Sequence, residues 1–236
     1  MQTMHSAVDG NRGKAGRSGE LINTLSSCAL QELASMEVPL LYPANAVVFS
    51  EKEPAGGIYV VLEGEVKLSI NSSEGKRLNL SIARKGEILG LVSALTGSPY
   101  EMTAETLYPS KIAPINRRDF LNFLLRHPDA YPMLFQDLSR QYSVACEQLR
   151  TVGLSNSAPE KLARLLLEWS QSGQSTETGT RFRFCLTHEE IGEFIGVSRE
   201  TVTRILSTFK HRRLVTCQGS MLTIPSRIAL ADYAHC

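Results

Sequence analysis

A chain of 236 residues with a net charge of +1 and an ordinary apolar share is neither disordered, collagen-like nor a polyelectrolyte, and it can bury two modest cores. Its apolar runs, such as residues 58–62, and the stretch 162–167 that Arg164 interrupts, fall far short of the roughly 18 residues that a membrane helix needs, so no membrane partner is expected. Five scattered cysteines, Cys28, Cys146, Cys185, Cys217 and Cys236, contain no C-x-x-C pair and argue against a disulfide framework.

Residues 1–19 are basic, rich in Gly, and followed by no apolar stretch, which reads as a tail rather than a secretory signal. A cytoplasmic protein is expected. Residues 20–127 read as a β-rich domain. The segments Ala46-Val47-Val48-Phe49, Ile58-Tyr59-Val60-Val61-Leu62 and Val66-Lys67-Leu68-Ser69-Ile70 are strand-like, with turn signals at residues 53–57 and 71–75. Several short strands at this spacing predict a jelly-roll barrel.

The period changes after Phe120. Tyr131, Phe135, Leu138, Tyr142, Ala145, Leu149 and Val152 recur at steps of four and three, a narrow seam along a long helix over residues 128–153. Such a seam suits a parallel dimer, with Phe135 to Val152 as its interface; a helix packed on its own barrel is the competing reading. Residues 154–159 form a hinge, and residues 154–236 a second domain. Pro159 is placed to open a helix over residues 160–170, a polar loop is expected over 171–180, and a strand over 182–186.

Thr187 and Glu190 form a capping box, in which hydroxyl and carboxylate satisfy the first backbone donors of a helix. Ile191, Phe194 and Ile195 face inward, Gly192 is expected to admit a second helix closely, and Gly196 supplies a left-handed stop. Ser198 then caps a second helix whose Val202, Ile205, Leu206 and Phe209 form one apolar stripe. Outside remain Arg199, Glu200, Thr203, Arg204, Ser207 and Lys210. Between residues 199 and 213 five cations face a single carboxylate, so positive charge concentrates where a duplex would lie. Arginine bonds the N7 and O6 of guanine and a carboxylate accepts from cytosine N4, which makes Ser198, Arg199, Glu200, Thr203, Arg204 and Lys210 the candidate DNA-binding residues. Glu200 and Arg204, four apart, also suit a plain surface ion pair. Gly219 and Ser220 between two short β-like runs read as a wing.

The run Leu186-Thr187-His188-Glu189-Glu190-Ile191-Gly192-Glu193-Phe194-Ile195-Gly196-Val197-Ser198-Arg199-Glu200-Thr201-Val202-Thr203-Arg204-Ile205-Leu206 resembles the catabolite activator and fumarate-nitrate regulator superfamily of bacterial transcription factors. The resemblance extends over about residues 20–230 and includes Tyr59-Val60-Val61-Leu62-Glu63-Gly64-Glu65-Val66 and Lys85-Gly86-Glu87-Ile88-Leu89-Gly90. It implies an α+β chain: a cyclic-nucleotide-binding-like jelly-roll barrel, a long dimerisation helix and a C-terminal winged helix-turn-helix. It further implies a homodimer on double-stranded DNA, with Arg199, Glu200 and Arg204 reading half-sites nearer TGTGA than TTGAT, and RNA polymerase as a partner if the protein activates.

The effector does not follow from the resemblance. The cassette positions Gly90, Leu91, Met102 and Thr103, with Cys146 and Glu147 on the long helix, form the candidate effector pocket. Leu91 stands where the family has glutamate, and Met102 where a phosphate-binding arginine belongs. An unpaired phosphate charge against them would be expensive. Cyclic AMP is therefore not the expected effector, and no cofactor is assigned. A cyclic-nucleotide- or redox-responsive regulator of the same family, or a ligand-binding module without DNA, are the alternatives. The stretch 20–126 holds no histidine, which leaves a metal-dependent barrel enzyme without ligands, so neither metal site nor catalysis is expected.

Overall fold

A computed structural model of the chain describes residues 26–155 and 157–235; the tail expected over residues 1–19 lies outside them. A first helix, α1 (Ser27–Met36), is capped by Ser26, whose hydroxyl accepts from the Ala29 N–H, and buries Ala29 and Leu33. Eight strands follow: β1 (Leu40–Tyr42), β2 (Val47–Phe49), β3 (Gly57–Glu63), β4 (Glu65–Asn71), β5 (Arg77–Arg84), β6 (Ile88–Leu89), β7 (Thr103–Thr106) and β8 (Ser110–Asn116). They form two antiparallel sheets, ordered β1-β8-β3-β6 and β2-β7-β4-β5. This is the jelly roll that the strand spacing predicts.

Strand alternation decides what each sheet face meets. In β4, Val66 and Leu68 point into the barrel, while Lys67 and Ser69 lie on its outer face and are nevertheless buried. The barrel interior is filled by its own aromatic rings. Phe49 stacks on Tyr100 at 4.1 Å and on Tyr59 at 5.2 Å between ring centroids, and the Tyr100 hydroxyl donates to the Gly57 carbonyl at 2.9 Å. Burial, with Tyr100 alongside, pushes the Tyr59 phenol well above its ordinary range.

Beneath the first sheet lies an apolar layer formed with α1, the short α2 (Leu91–Thr96) and α3 (Arg117–Arg126). A 3-10 turn over Pro128–Ala130 leads into α4 (Tyr131–Gly153). Met133, Leu134, Asp137, Gln148 and Thr151 are buried on one side of this helix. Arg140 bonds Asp137 at 2.6 Å and Glu87 at 2.9 Å, which ties α4 to the barrel. The seam lies on another side: Phe135 is 68% exposed, Tyr142 73% and Leu149 70%, with Ala145 open and Leu138 and Val152 half-buried.

The remaining elements share one core. They are α5 (Ala158–Trp169), β9 (Gln174–Thr176), β10 (Gly179–Arg183), α6 (His188–Ile195), α7 (Arg199–His211), β11 (Thr216–Gln218), β12 (Met221–Ile224) and α8 (Arg227–His235). Leu162, Leu166, Ile191, Phe194, Phe209 and Leu222 are among its fully buried side chains. The four strands order as β11-β12-β10-β9.

Four expectations are corrected here. The polar stretch 171–180 is no simple loop, because it contains β9 and the start of β10, and the strand expected at 182–186 ends at Arg183. Every residue of β9 is exposed, so no apolar alternation marks it. Helix α5 begins two residues earlier than expected, because Ser157 caps it by accepting from the Glu160 N–H at 3.3 Å. Gly192 faces the turn rather than a second helix, since a Cβ there would sit 2.5 Å from the Val197 carbonyl oxygen. Helices α1, α2, α3 and α8 are elements beyond those that the sequence pattern predicts.

Candidate nucleic-acid interface

The reading head is built by two short helices whose ends are fixed locally. Thr187 caps α6 with its hydroxyl accepting from the Glu190 N–H, and the Glu190 carboxylate accepts in return from the Thr187 N–H at 2.9 Å. Gly196, with φ of 69°, closes that helix in the left-handed region where a side chain would be strained. Ser198 opens α7 by accepting from the Thr201 N–H at 3.3 Å. Ser198 itself is therefore placed at the exposed start of the second helix, as a cap.

Val202, Ile205, Leu206 and Phe209 are all buried, so α7 has a single rotational setting against α6. The opposite side is then defined by geometry. Arg199, Glu200, Thr203, Arg204, Ser207 and Lys210 are exposed. The first five of these, with Thr208, line one open groove on the protein surface. Lys210 and Arg212 add exposed cations at the end of α7, where the Arg212 guanidinium lies 5.3 Å from the Tyr233 ring centre of α8. The wing is the β11–β12 hairpin, turning at Gly219 with φ of 56°.

His188 is a contributor that the sequence reading missed. Its Nδ1 lies 2.7 Å from the Thr203 hydroxyl, which itself donates to the Arg199 carbonyl at 3.0 Å. That hydroxyl has one proton, already committed, so the imidazole Nδ1 must be the donor. The contact crosses the turn between α6 and α7, and no spacing rule within one helix reveals it.

The candidate effector positions behave differently. Leu91 is 1% exposed and packs in the apolar layer with Ile58, Ala94 and Phe120. Gly90, with φ of 71°, presses against Tyr100, whose ring a Cβ would meet at 2.8 Å. The Thr103 hydroxyl accepts from the Glu51 N–H at 3.0 Å, and Glu147 pairs with Arg150. Met102 and Cys146 are half-buried. Among the described residues none of these six is hydrogen-bonded to another. A cyclic nucleotide phosphate needs a cation and converging donors, so these residues do not fit that ligand.

Comparison with known proteins matches both halves. Residues 39–127 match the cyclic nucleotide-binding domain family, and residues 160–233 the Crp-like helix-turn-helix domain family. A CRP-like cAMP-activated global transcriptional regulator of Mycobacterium tuberculosis is 26% identical over 208 residues, covering 88% of this chain and 92% of that protein. The global nitrogen regulator of a Synechocystis strain is 26% identical over 195 residues, covering 81% and 86%. In fold, the chain is similar to FixK2 from Bradyrhizobium japonicum, with a TM-score of 0.74 at 21% identity over 84% of this chain and 96% of that one. Barrel, long helix and winged helix-turn-helix together define a DNA-binding transcriptional regulator, not an enzyme. The chain belongs to the catabolite activator and fumarate-nitrate regulator superfamily.

Proposed function

We propose that the protein is a homodimeric, sequence-specific regulator that reads palindromic duplex sites with TGTGA-like half-sites. One observation carries this reading: Arg199, Glu200, Thr203 and Arg204 stand exposed on a single face of a helix whose other face is wholly buried. The first residues of such a helix reach base edges, while Lys210 and Arg212 suit phosphates. Dimerisation through α4 is supported by Phe135, Tyr142 and Leu149, three large apolar side chains left open on one helix side. Two copies would present their heads to successive major grooves, roughly 34 Å apart.

Residues 1–19, 20–127, 128–153 and 154–236 are the corresponding tail, sensor-type domain, dimerisation helix and DNA-binding domain. The site of action is the cytoplasm, with RNA polymerase as the further partner where the bound site favours activation. Among the described residues no helix is long and apolar enough to cross a membrane. The effector is read as other than a cyclic nucleotide, because none of the six candidate effector positions carries a cation and aromatic rings fill the barrel.

Selection of binding sites from random duplex DNA tests the proposal. The expected product is a two-fold symmetric site with half-site centres about 10 base pairs apart. Recovery of an asymmetric site, or of none, would refute it.

A further inference from the structure

The outer face of the barrel's second sheet is polar, yet it is buried, and what covers it is the winged helix. Lys67 is 3% exposed, and its ammonium lies 3.0 Å from Glu190 and 3.8 Å from Glu105. Asn79, fully buried on β5, donates through Nδ2 to the Glu193 carboxylate at 2.9 Å and to the Glu190 carbonyl at 3.2 Å. Gln148 of α4 completes the seam. Its Nε2 donates at once to the Asn79 carbonyl at 2.8 Å and to the Phe194 carbonyl at 2.6 Å.

The barrel and the long helix thus both meet α6, the first helix of the reading head. The donors come from the barrel and α4, and apart from the Glu105 carboxylate and the Asn79 carbonyl the acceptors belong to α6. Ile82 and Leu107 of the barrel add apolar contact against the winged-helix core. Buried polar contacts are directional and costly to leave unmade, so a seam of this kind selects one docking geometry over its neighbours. Helix α7 packs on α6 through its buried stripe, and its reading face is exposed. Any rotation of α6 against the barrel is therefore passed directly to the helix that touches DNA.

From this we infer that Lys67, Asn79 and Gln148 form an interdomain clasp that presets the orientation of the recognition helix relative to the dimer helix. The inference rests on the dimeric DNA-binding reading, because orientation matters only when two heads must engage one duplex. A single head binding a single half-site needs no preset orientation. A pair of heads on a palindrome does, and each loses effective concentration at the second half-site when the clasp opens.

The test compares the parent chain with Lys67→Met, Gln148→Leu and the milder Glu193→Ala, which removes one acceptor from a half-buried position and leaves the barrel interior untouched. Amide hydrogen exchange reads the clasp without DNA: α6 should lose protection in all three variants while β3 and β8 keep theirs. Fluorescence anisotropy then uses the palindrome recovered by selection and a duplex carrying one half-site. Palindrome affinity should fall about tenfold, the scale of an ordinary coupling between sites, with half-site affinity unchanged. Unchanged α6 exchange overturns the clasp, as does unchanged or tighter palindrome binding by a variant whose barrel stays protected. Failure of the parent chain on both duplexes defeats the DNA reading instead and is recognised as such by that control.

Discussion

The barrel and the winged helix are built with equal regularity, yet only one of them brings its candidate functional residues together. In the winged helix, four side chains spaced along one helix converge on an open groove because the buried stripe behind them leaves no other choice. The six candidate effector positions, four in the barrel and two on α4, are scattered among an apolar layer, a strand end and a helix surface. The lesson is that a fold can be kept by its core residues while one of its sites is emptied of chemistry.

The largest effect that could break this comparison is loss of the winged-helix core itself. Phe209→Ala empties a site with no solvent exposure and should cost about 3–5 kcal/mol in denaturant unfolding, abolishing DNA binding while the barrel still unfolds as a separate transition. DNA binding retained by a variant whose winged helix has unfolded would mean that the groove is not what contacts the duplex. Next come Arg199→Ala and Arg204→Ala, each expected to weaken specific binding by about 1–3 kcal/mol and to relax preference at one base pair. Competition against base-substituted duplexes measures this. Lys210→Ala should instead weaken every sequence alike and lower the salt slope by about one.

A smaller effect sharpens the contrast through pH. Burial pushes the Glu190 carboxyl up, but the Thr187 N–H and the Lys67 ammonium outweigh it and hold the group below its usual range. A carboxylate lowered in this way stabilises the folded chain at neutral pH, and the contribution disappears as pH falls through the folded value, below 4.5. Glu190→Gln keeps the helix cap and loses the charge, so it should be less stable by about 1 kcal/mol at pH 7. Its thermal unfolding curve should merge with the parent's in acid. Glu193 moves oppositely, because burial raises it despite Asn79, and its titration should oppose the loss. The smallest expected effect is a null: calorimetry with cyclic AMP or cyclic GMP should show no heat of binding, and a measurable heat would restore the barrel as a nucleotide sensor.

Legibility in the sequence followed from how local each feature is. The capping box, the Ser198 cap and the stripe from Val202 to Phe209 are contained within a few turns, so helical periodicity alone puts Arg199, Glu200, Thr203 and Arg204 on one side. Strands β2, β3 and β4 were readable as short apolar or alternating runs between turn signals. Strand β9 was not, having no buried face to mark it, and α1 and α8 were missed because docking onto distant elements, rather than a clear stripe, supports them. The contact of His188 with Thr203 joins two helices, and that of Lys67 with Glu190 spans 123 positions in the chain. No pattern along the sequence reports such pairs.

The open apolar side of α4 has a consequence for how the protein would act in a cell. On the dimeric reading proposed above, with Phe135, Tyr142 and Leu149 in water on a lone chain, occupancy of a target would depend on first meeting a second copy. Response to the amount of protein made would then rise faster than in proportion, giving the regulator a threshold set by its own synthesis.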